Sequence, residues 1–172
     1  MLVKITEAQP GDAKDILDYL KLVGGQTDHL LFDSGGVAFT LEEEIHFIKT
    51  MAENHNAALL VAKANNEIIG IASIQGMGSK RTNHRANAAI SVKKAYWHQG
   101  VGTNLMSKTI AFARQSPLLE VIELEVRTDN TAAIKLYEKL GFKTYATHPD
   151  FMRVDDASYA VYRMRLPLKG GN

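Results

Sequence analysis

A glycine-rich turn between a short strand and a helix constrains the fold of this chain more than any other feature. The residues Asn87–Val92 predict the strand, those from about Gly100 to Arg114 predict the helix, and Gln99–Thr103 lies between them. Such a turn directs unpaired backbone N–H groups and the positive end of the helix dipole to one point, which suits a phosphate or diphosphate. The alternative is that the glycines only let the helix approach the strand closely.

The spacing around this turn argues against two common nucleotide-binding motifs. The dinucleotide fingerprint requires a third glycine at position 105, which here is Leu105. The nucleoside triphosphate loop requires Gly-Lys-Ser/Thr after four spacer residues, and this chain contains no such sequence. A nucleotide-binding α/β protein is therefore disfavoured.

The rest of the chain alternates strands and helices. Apolar spacing predicts helices over Ala13–Gly24, from Leu41 behind a Thr40–Glu43 capping box, and over Asn130–Leu140 with Gly141 as its terminal glycine. β-Rich or alternating patterns predict strands at the N-terminus and at Ala57–Ala64, Glu67–Gln75, Val121–Val126, Phe142–Thr147 and Ala157–Leu166. The pair Asn65-Asn66 predicts a two-residue hairpin turn, which makes its flanking strands antiparallel neighbours. The fold class is therefore mixed α/β.

Length and composition limit the possible function. The chain has 172 residues and no linker, so we expect a single domain over residues 1–172 with its core at about 3–166. Twenty Lys and Arg against nineteen Asp and Glu give a net charge of +1, so neither a nucleic-acid nor a membrane partner is expected. The lack of cysteine excludes an enzyme thiol and favours a reducing, cytoplasmic location. None of the six histidines has metal-ligand spacing, so no metal is expected.

Two sequence blocks, taken together and in this order, carry a resemblance to a known family. The first runs from Val92 through Tyr96-Trp97-His98-Gln99-Gly100-Val101-Gly102-Thr103, and the second runs from Glu125-Val126-Arg127 through Asn130 and Ala133 to Leu136-Tyr137-Glu138-Lys139-Leu140-Gly141-Phe142. They resemble the loop Gln/Arg-x-x-Gly-x-Gly/Ala and the helix end Leu-Tyr-x-x-x-Gly-Phe of the GCN5-related N-acetyltransferase (GNAT) family. Trp97 stands where that loop has Gln or Arg, which affects one side-chain contact to the phosphates and not the backbone cradle.

The resemblance implies a GNAT-like acyl-CoA N-acyltransferase fold, with a central, mostly antiparallel twisted sheet flanked by helices. It implies acetyl-CoA as co-substrate and direct transfer of the acetyl group to an amine. Tyr137 matches the residue that protonates the departing thiolate, which suits a phenol that is neutral at pH 7. The residues implied to bind the cofactor are Ile90, Ser91 and Val92 of the strand, Gln99, Gly100, Val101, Gly102 and Thr103 of the turn, and Asn130 and Ala133 at the later helix.

The general base is predicted from strand alternation. Because Ile122, Leu124 and Val126 form an apolar face, Glu123 and Glu125 share the other face. Glu125 lies twelve residues before Tyr137, as does the glutamate proposed as base in the resembling ribosomal-protein N-terminal acetyltransferases, so it is the leading candidate. The alternatives are that Glu125 only pairs with a neighbour such as Arg127 or Lys139, or that His84 is the base.

The acceptor is not identified by any motif. The leading hypothesis is acetyl transfer to a primary amine of a small molecule or a protein N-terminus, and the alternative is a catalytically inactive acyl-CoA-binding or sensor module. The long loop Gly25–Phe39 is either a substrate lid or a packed connector. The segment His148–Asp156 is a second candidate for lining the acceptor pocket, and the final strands could supply the edge of a homodimer.

Overall fold

The computed structural model describes residues 2–170, which form four α-helices and seven β-strands. The helices are α1 (Ala13–Gly24), α2 (Leu41–Glu53), α3 (Val101–Gln115) and α4 (Thr131–Lys139). The strands are β1 (Lys4–Glu7), β2 (Ala57–Ala64), β3 (Glu67–Gly76), β4 (Arg85–Val92), β5 (Val121–Arg127), β6 (Lys143–Val154) and β7 (Ala157–Pro167). None of these helices combines the length and the apolar character needed to cross a bilayer.

The seven strands form one sheet in the order β1-β2-β3-β4-β5-β7-β6. Every neighbouring pair is antiparallel except β4 and β5, which are parallel. The β2–β3 hairpin turns at Asn65 and Asn66, both with positive φ, as their sequence predicts. The predicted fold class, a mixed α/β protein with a mostly antiparallel sheet flanked by helices, is confirmed.

Both faces of the sheet carry apolar side chains, and the helices pack on these faces and bury them. In β2, Ala58, Leu60 and Ala62 belong to the cluster shared with α3 and α4, whereas Ala57, Leu59 and Val61 belong to the cluster shared with α1 and α2. A strand buried on both faces reads as a continuous apolar run, which is what this segment shows. The sheet is therefore the middle of three layers, and the two helix pairs lie on opposite faces.

The connection between α1 and α2 contains only turns and bends over residues 26–40. It ends at the predicted capping box, in which the Thr40 hydroxyl accepts the Glu43 amide and the Glu43 carboxylate accepts the Thr40 amide. A box of this kind satisfies helix donors that would otherwise have no partner, so it fixes where α2 begins.

The C-terminal hairpin differs from its prediction. Strand β6 does not stop at Thr147 but runs to Val154, so the predicted connector His148–Asp156 is mostly strand. Two irregularities in the pairing with β7, near residue 145 and between His148 and Met152, break the two-residue alternation from which a strand is predicted. The turn is shorter than expected and contains Asp155, whose φ is 50°.

Candidate active site

A split between β4 and β5 is the central feature of the site. The two strands pair only from Arg85 to Asn87 and from Val121 to Glu123, although β4 continues to Val92 and β5 to Arg127. Beyond that short ladder their facing edges make no pairs with each other. A parallel sheet that opens in this way exposes main-chain N–H and C=O groups that an extended, amide-bearing chain could bind as an added strand.

The main chain of β4 directs alternate residues into the split. The Lys93 amide donates to the Ile69 carbonyl of β3 at 2.9 Å, and Ser91 lies opposite Ile71 in the same ladder. Since alternate residues of an antiparallel strand bond the same neighbour, Ile90 and Val92 direct their main-chain groups away from β3. They are therefore the residues of β4 that can bind a ligand in the split.

Ser91, a predicted cofactor residue, points elsewhere. Its main chain lies on the β3 side, and its hydroxyl is 3.0 Å from the Tyr19 hydroxyl of α1. Tyr19 is buried, and burial raises the pKa of its phenol above the usual value. The Tyr19–Ser91 hydrogen bond thus attaches β4 to α1 on the face opposite α3, and it leaves no Ser91 group for the split.

The glycine turn leaves the start of α3 uncapped. Gly100 is the N-terminal cap with φ 81° and supplies no side chain, and the first main-chain bond runs from the Asn104 amide to the Gly100 carbonyl at 2.9 Å. Within residues 2–170, the amides of Val101, Gly102 and Thr103 have no hydrogen-bond acceptor. Three free donors at the positive end of a fifteen-residue helix can bind an anion.

Gly102 holds α3 close to both neighbouring elements. A Cβ atom there would lie 3.1 Å from the Cδ1 atom of Leu136 in α4 and 3.5 Å from that of Ile90 in β4. Glycine at this position therefore serves close packing, which is the second of the two readings of the turn, while anion binding by the exposed main chain stays a prediction. Trp97, the departure from the family loop, donates from Nε1 to the Val92 carbonyl at 2.7 Å.

Helix α4 has Asn130 as its N-terminal cap and Tyr137 in its last turn. The Asn130 side chain accepts the Ala133 amide at 3.3 Å, which caps the helix as its sequence predicts. Tyr137 is only 5% exposed, its ring lies edge-on to Phe142, and it shares a core cluster with Ile90. Burial raises the pKa of the Tyr137 phenol above its usual value, so it stays protonated at neutral pH.

Glu125 lies on the opposite face of β5 from the core that contains Tyr137. Its side chain is 39% exposed, and its Oε1 is 3.6 Å from Nη2 of Arg163, the residue directly opposite in β7. The same Arg163 nitrogen is 3.5 Å from Nδ1 of His148. Glu123, on the same face, is held by Arg85, whose Nε donates to Oε2 at 3.0 Å. Glu125 is therefore the more loosely paired of the two acids.

Comparison with known proteins identifies the family. Residues 26–142 match the family model described as Acetyltransferase (GNAT) family. This chain belongs to the GNAT family of acetyltransferases. The predicted resemblance is confirmed, and the protein is an acetyltransferase.

Relatives of this acetyltransferase cover most of its length. The N-alpha-acetyltransferase RimI of Mycobacterium tuberculosis is 33% identical over 69% of this chain and 71% of its own. The L-amino acid N-acetyltransferase AaaT of Escherichia coli is 31% identical over 67% of this chain and 72% of its own. A crystal structure of a GNAT-family acetyltransferase from Streptococcus pneumoniae, 32% identical, has a TM-score of 0.93 over 96% of this chain and 99% of that one.

A Salmonella typhimurium protein solved with its cofactor acetyl-CoA has the same fold as this acetyltransferase. It is 20% identical, with a TM-score of 0.86 over 98% of this chain and 95% of its own. At that level of identity the likeness concerns the fold alone.

The acetyltransferase brings most of its predicted site residues to the carboxyl ends of β4 and β5. The turn Gln99–Thr103 and Asn130 follow those two strands directly, and Tyr137 packs in the same cluster as Ile90. His84 is at the other end, because its carbonyl accepts the amides of Glu120 and Val121 at the start of β5. At 3.3 Å per residue, it lies roughly 25 Å from Val92. His84 is therefore too far from the split to act there as a general base.

Sequence reasoning missed several residues of the acetyltransferase site. Glu125 pairs with Arg163 and not with Arg127 or Lys139, because Arg163 is its cross-strand partner and Arg127 is held by acidic groups of its own. No signal in the sequence sets that register. Trp97, which stands where the family loop has Gln or Arg, is a signal that the sequence does contain. An indole can only donate a hydrogen bond, from its N–H, so Trp97 indicates a donor at this position. Within residues 2–170, no cluster of three or more His, Asp or Glu side chains could hold a metal ion.

Proposed function

We propose that this acetyltransferase binds acetyl-CoA in the split between β4 and β5 and transfers the acetyl group directly to a primary amine. The observation that carries the proposal is the split itself, which lies between the uncapped start of α3, a buried neutral tyrosine and a half-exposed carboxylate on the other face. The acceptor that we propose is an amine of a small molecule or of a protein N-terminus.

The residues present fit coenzyme A. Its diphosphate requires several donors at one point, and the turn Gln99–Thr103 leads into three amides without acceptors. Its pantetheine arm carries amides, and Ile90 directs its main-chain groups into the split, whereas Val92 has only its amide free there because Trp97 donates to its carbonyl. Asn130 and Ala133, at the first turn of α4, follow the facing strand and would border the arm. Ser91 contributes through its hydrogen bond to Tyr19, which supports the strand.

Bound acetyl-CoA supplies an acyl group that is already activated as a thioester. We propose that Tyr137 donates a proton to the sulfur as it leaves, since burial keeps its phenol protonated at neutral pH and the ring packs in the same cluster as Ile90 of the split. The Val92 carbonyl is occupied by Trp97, so the Val92 amide is the group left to stabilise negative charge on the acyl oxygen.

Glu125 is the proposed general base. An amine is mostly protonated at neutral pH and has to lose a proton before it can attack. Glu125 is open to solvent and lies on the face of β5 opposite the core that contains Tyr137, so acid and base would act from opposite sides of the split. The Arg163 guanidinium beside it lies 3.6 Å from Oε1, beyond hydrogen-bond distance, so the carboxylate is not fixed to the arginine and can reach an incoming amine.

The relatives suggest which acceptors to test first. One is named an N-alpha-acetyltransferase and another an L-amino acid N-acetyltransferase, so both names point to an amine on an α-carbon. The decisive experiment measures coenzyme A release over amino acids, N-terminal peptides, polyamines and aminoglycosides. We expect at least one α-amine acceptor to be acetylated. Tight coenzyme A binding without turnover on any of them would instead support the inactive acyl-CoA-binding module.

The specificity of the split for coenzyme A can be tested without an acceptor. A ligand present at about 100 times its Kd should stabilise the fold by about 2.7 kcal/mol. Coenzyme A should therefore raise the midpoint of thermal unfolding, whereas ATP and NAD at the same concentration should not. Equal stabilisation by ATP would contradict the proposed site.

Three further parts of the proposal concern the whole chain. We propose that residues 1–172 are a single acetyltransferase domain, because all seven strands join one sheet. We propose a cytoplasmic location, which cell fractionation would test.

We also propose a homodimer, because β6 lies at the edge of the sheet and is largely exposed. Light scattering at several protein concentrations would reveal a monomer if this part is wrong.

A further inference from the structure

Arg127 is a buried arginine at the end of β5 that joins three separate parts of the chain. It is only 4% exposed, and its Nε and Nη2 donate to the two carboxylate oxygens of Asp129 at 2.9 and 2.5 Å. Its Nη1 donates to the Asp28 carbonyl at 3.0 Å. Its guanidinium carbon lies 3.6 Å from the ring centroid of Tyr159 in β7. The side chain thus links the α1–α2 connection, the β5–α4 turn and β7.

A second contact attaches the same connection to the end of β4. The Lys94 amide, two residues after β4, donates to Oε1 of Gln26 at 2.9 Å. Gln26 and Asp28 are only two residues apart, yet one is bound at the end of β4 and the other at the end of β5. Residues 26–28, which we call the strap, therefore cross the split at the carboxyl ends of both strands.

The strap lies on the acceptor side of the split. Arg127 shares its face of β5 with Glu125, because the two are two positions apart in a strand. The strap is bound to Arg127 and follows α1, which packs on that face through Tyr19 and Ser91. The α3 and α4 elements, which carry the proposed diphosphate cradle and Tyr137, lie on the other face.

We propose that Arg127 is a positioning residue that, with Gln26, holds the strap across the split and so sets where the acceptor amine meets the thioester. This inference rests on the proposed function, which puts the thioester in the split. Arg127 touches neither co-substrate in this scheme and acts through the strap. Only arginine suits the position, because a planar guanidinium can bind a carboxylate with two nitrogens, a carbonyl with the third and an aromatic ring with its face, whereas lysine offers one point charge.

The first test uses Gln26, which is half-buried and outside the proposed catalytic groups. Gln26→Leu removes the acceptor for the Lys94 amide, and Gln26→Glu keeps an oxygen there and serves as the matched control. We expect hydrogen exchange of the Lys94 amide, followed by NMR, to be about five- to tenfold faster in Gln26→Leu, because one hydrogen bond is lost. In Gln26→Glu it should match the parent.

The second measurement separates the acceptor from the cofactor. For Gln26→Leu and Arg127→Lys, we expect KM for the α-amine that is acetylated fastest to rise roughly three- to tenfold. The Kd of coenzyme A, measured by calorimetry, should change less than twofold. Arg114→Lys, at an exposed arginine of α3, is the control for the Arg127→Lys substitution. Asp28→Asn should raise KM less than Arg127→Lys, because it keeps the carbonyl that accepts from Nη1 of Arg127 and removes only the carboxylate charge 3.4 Å from that nitrogen.

Two outcomes would overturn the proposal. One is Lys94 exchange in Gln26→Leu that equals exchange in the parent, which would mean that the contact does not hold the strap. The other is faster exchange with an unchanged acceptor KM in both variants, which would mean that the strap does not position the acceptor. If the parent acetylates no amine, the proposed function fails, and the Lys94 exchange still decides whether the strap is held.

Discussion

The two sides of the split are built in different ways. The side formed by β4, α3 and α4 offers main-chain groups set in close apolar packing, with Gly102 and Tyr137 at its contacts. The side formed by β5, β7 and the strap offers charged side chains, among them Glu125 and Arg163, which are 39% and 41% exposed. The first side can bind one fixed ligand through main-chain groups. The second side presents side chains, whose identity can change by substitution.

The difference predicts that the two proposed sides respond differently to substitution. Main-chain donors at a helix start do not depend on which side chains are present, so the proposed cofactor side tolerates few changes in shape and many in sequence. Side chains such as Arg163 contribute by charge and reach, so a single substitution alters what binds there. Variants on the two sides should therefore fail in different kinetic parameters.

The largest expected effect is on the cofactor side. Tyr137→Phe should lower kcat by about 10²–10³-fold, because the leaving sulfur loses its proton donor. The Kd of coenzyme A should stay within twofold of the parent, since the ring and its packing remain. Steady-state kinetics and calorimetry on the same preparations measure the two quantities.

Tyr19→Phe is the matched control for that variant. Tyr19 is also a buried tyrosine with a raised pKa, but its hydroxyl is bonded to Ser91 on the other face of β4. It should retain most of the parent kcat and lose some stability. If Tyr137→Phe and Tyr19→Phe turn over at similar rates, Tyr137 is not the acid.

The next effect sharpens the comparison from the acceptor side. Glu125→Gln should lower kcat/KM by about 10–100-fold near neutral pH and recover partly at high pH, where free amine is plentiful. Glu123→Gln is the control, because Glu123 shares that face and is held by Arg85. A defect in Glu125→Gln that does not change with pH would assign Glu125 to acceptor binding.

The arrangement of the proposed cofactor side follows from the sequence because its parts are contiguous. Gly100 and Gly102 lie in one turn, and Asn130 and Tyr137 lie on one short helix, so local spacing already orders them in space. The orientation of Glu125 also follows locally, from the alternation of apolar residues in β5. Each of these inferences requires only the geometry of a single element.

The acceptor side could not be predicted in the same way, because its contacts join distant segments. Arg127 and Asp28 are 99 residues apart, and their contact exists only after the sheet has formed. Arg163 meets Glu125 only through the β5–β7 register. The second half of β6 could not be predicted either, because its pairing is irregular around Pro149 and Asp150, and the φ of Asp150 is 49°. Local patterns contain none of these relations.

A smaller effect should come from the backbone of the glycine turn. Gly100→Ala places a side chain at φ 81°, which costs about 1–2 kcal/mol in that conformation. Relief of the strain would turn the α3 amides away, so the Kd of coenzyme A should rise about tenfold with kcat nearly unchanged. Gly78→Ala is the control, since its Cβ would meet nothing and its φ is not positive. Equal affinities in the two variants would remove the turn from the site.

The smallest effect concerns the acid stability of the acceptor side. The hydrogen bonds from Arg127 hold the pKa of Asp129 below its usual value, and His29 lies 3.8 Å from the same carboxylate. A lowered folded-state pKa stabilises the protein fully above about pH 4 and less as the pH falls through that pKa. Asp129→Asn should therefore lower the free energy of unfolding at pH 7 and have progressively less effect below pH 4.

The same pH series tells a local contact from general acid destabilisation. Asp156→Asn serves as the comparison, because Asp156 is exposed and has no ion-pair partner within residues 2–170. Urea unfolding between pH 3 and pH 7 should give parallel curves for that variant and the parent, and converging curves for Asp129→Asn and the parent. Parallel curves for both variants would mean that the ion pair between Arg127 and Asp129 does not stabilise the fold. Arg127 would then hold the strap mainly through its contacts with Asp28 and the Tyr159 ring.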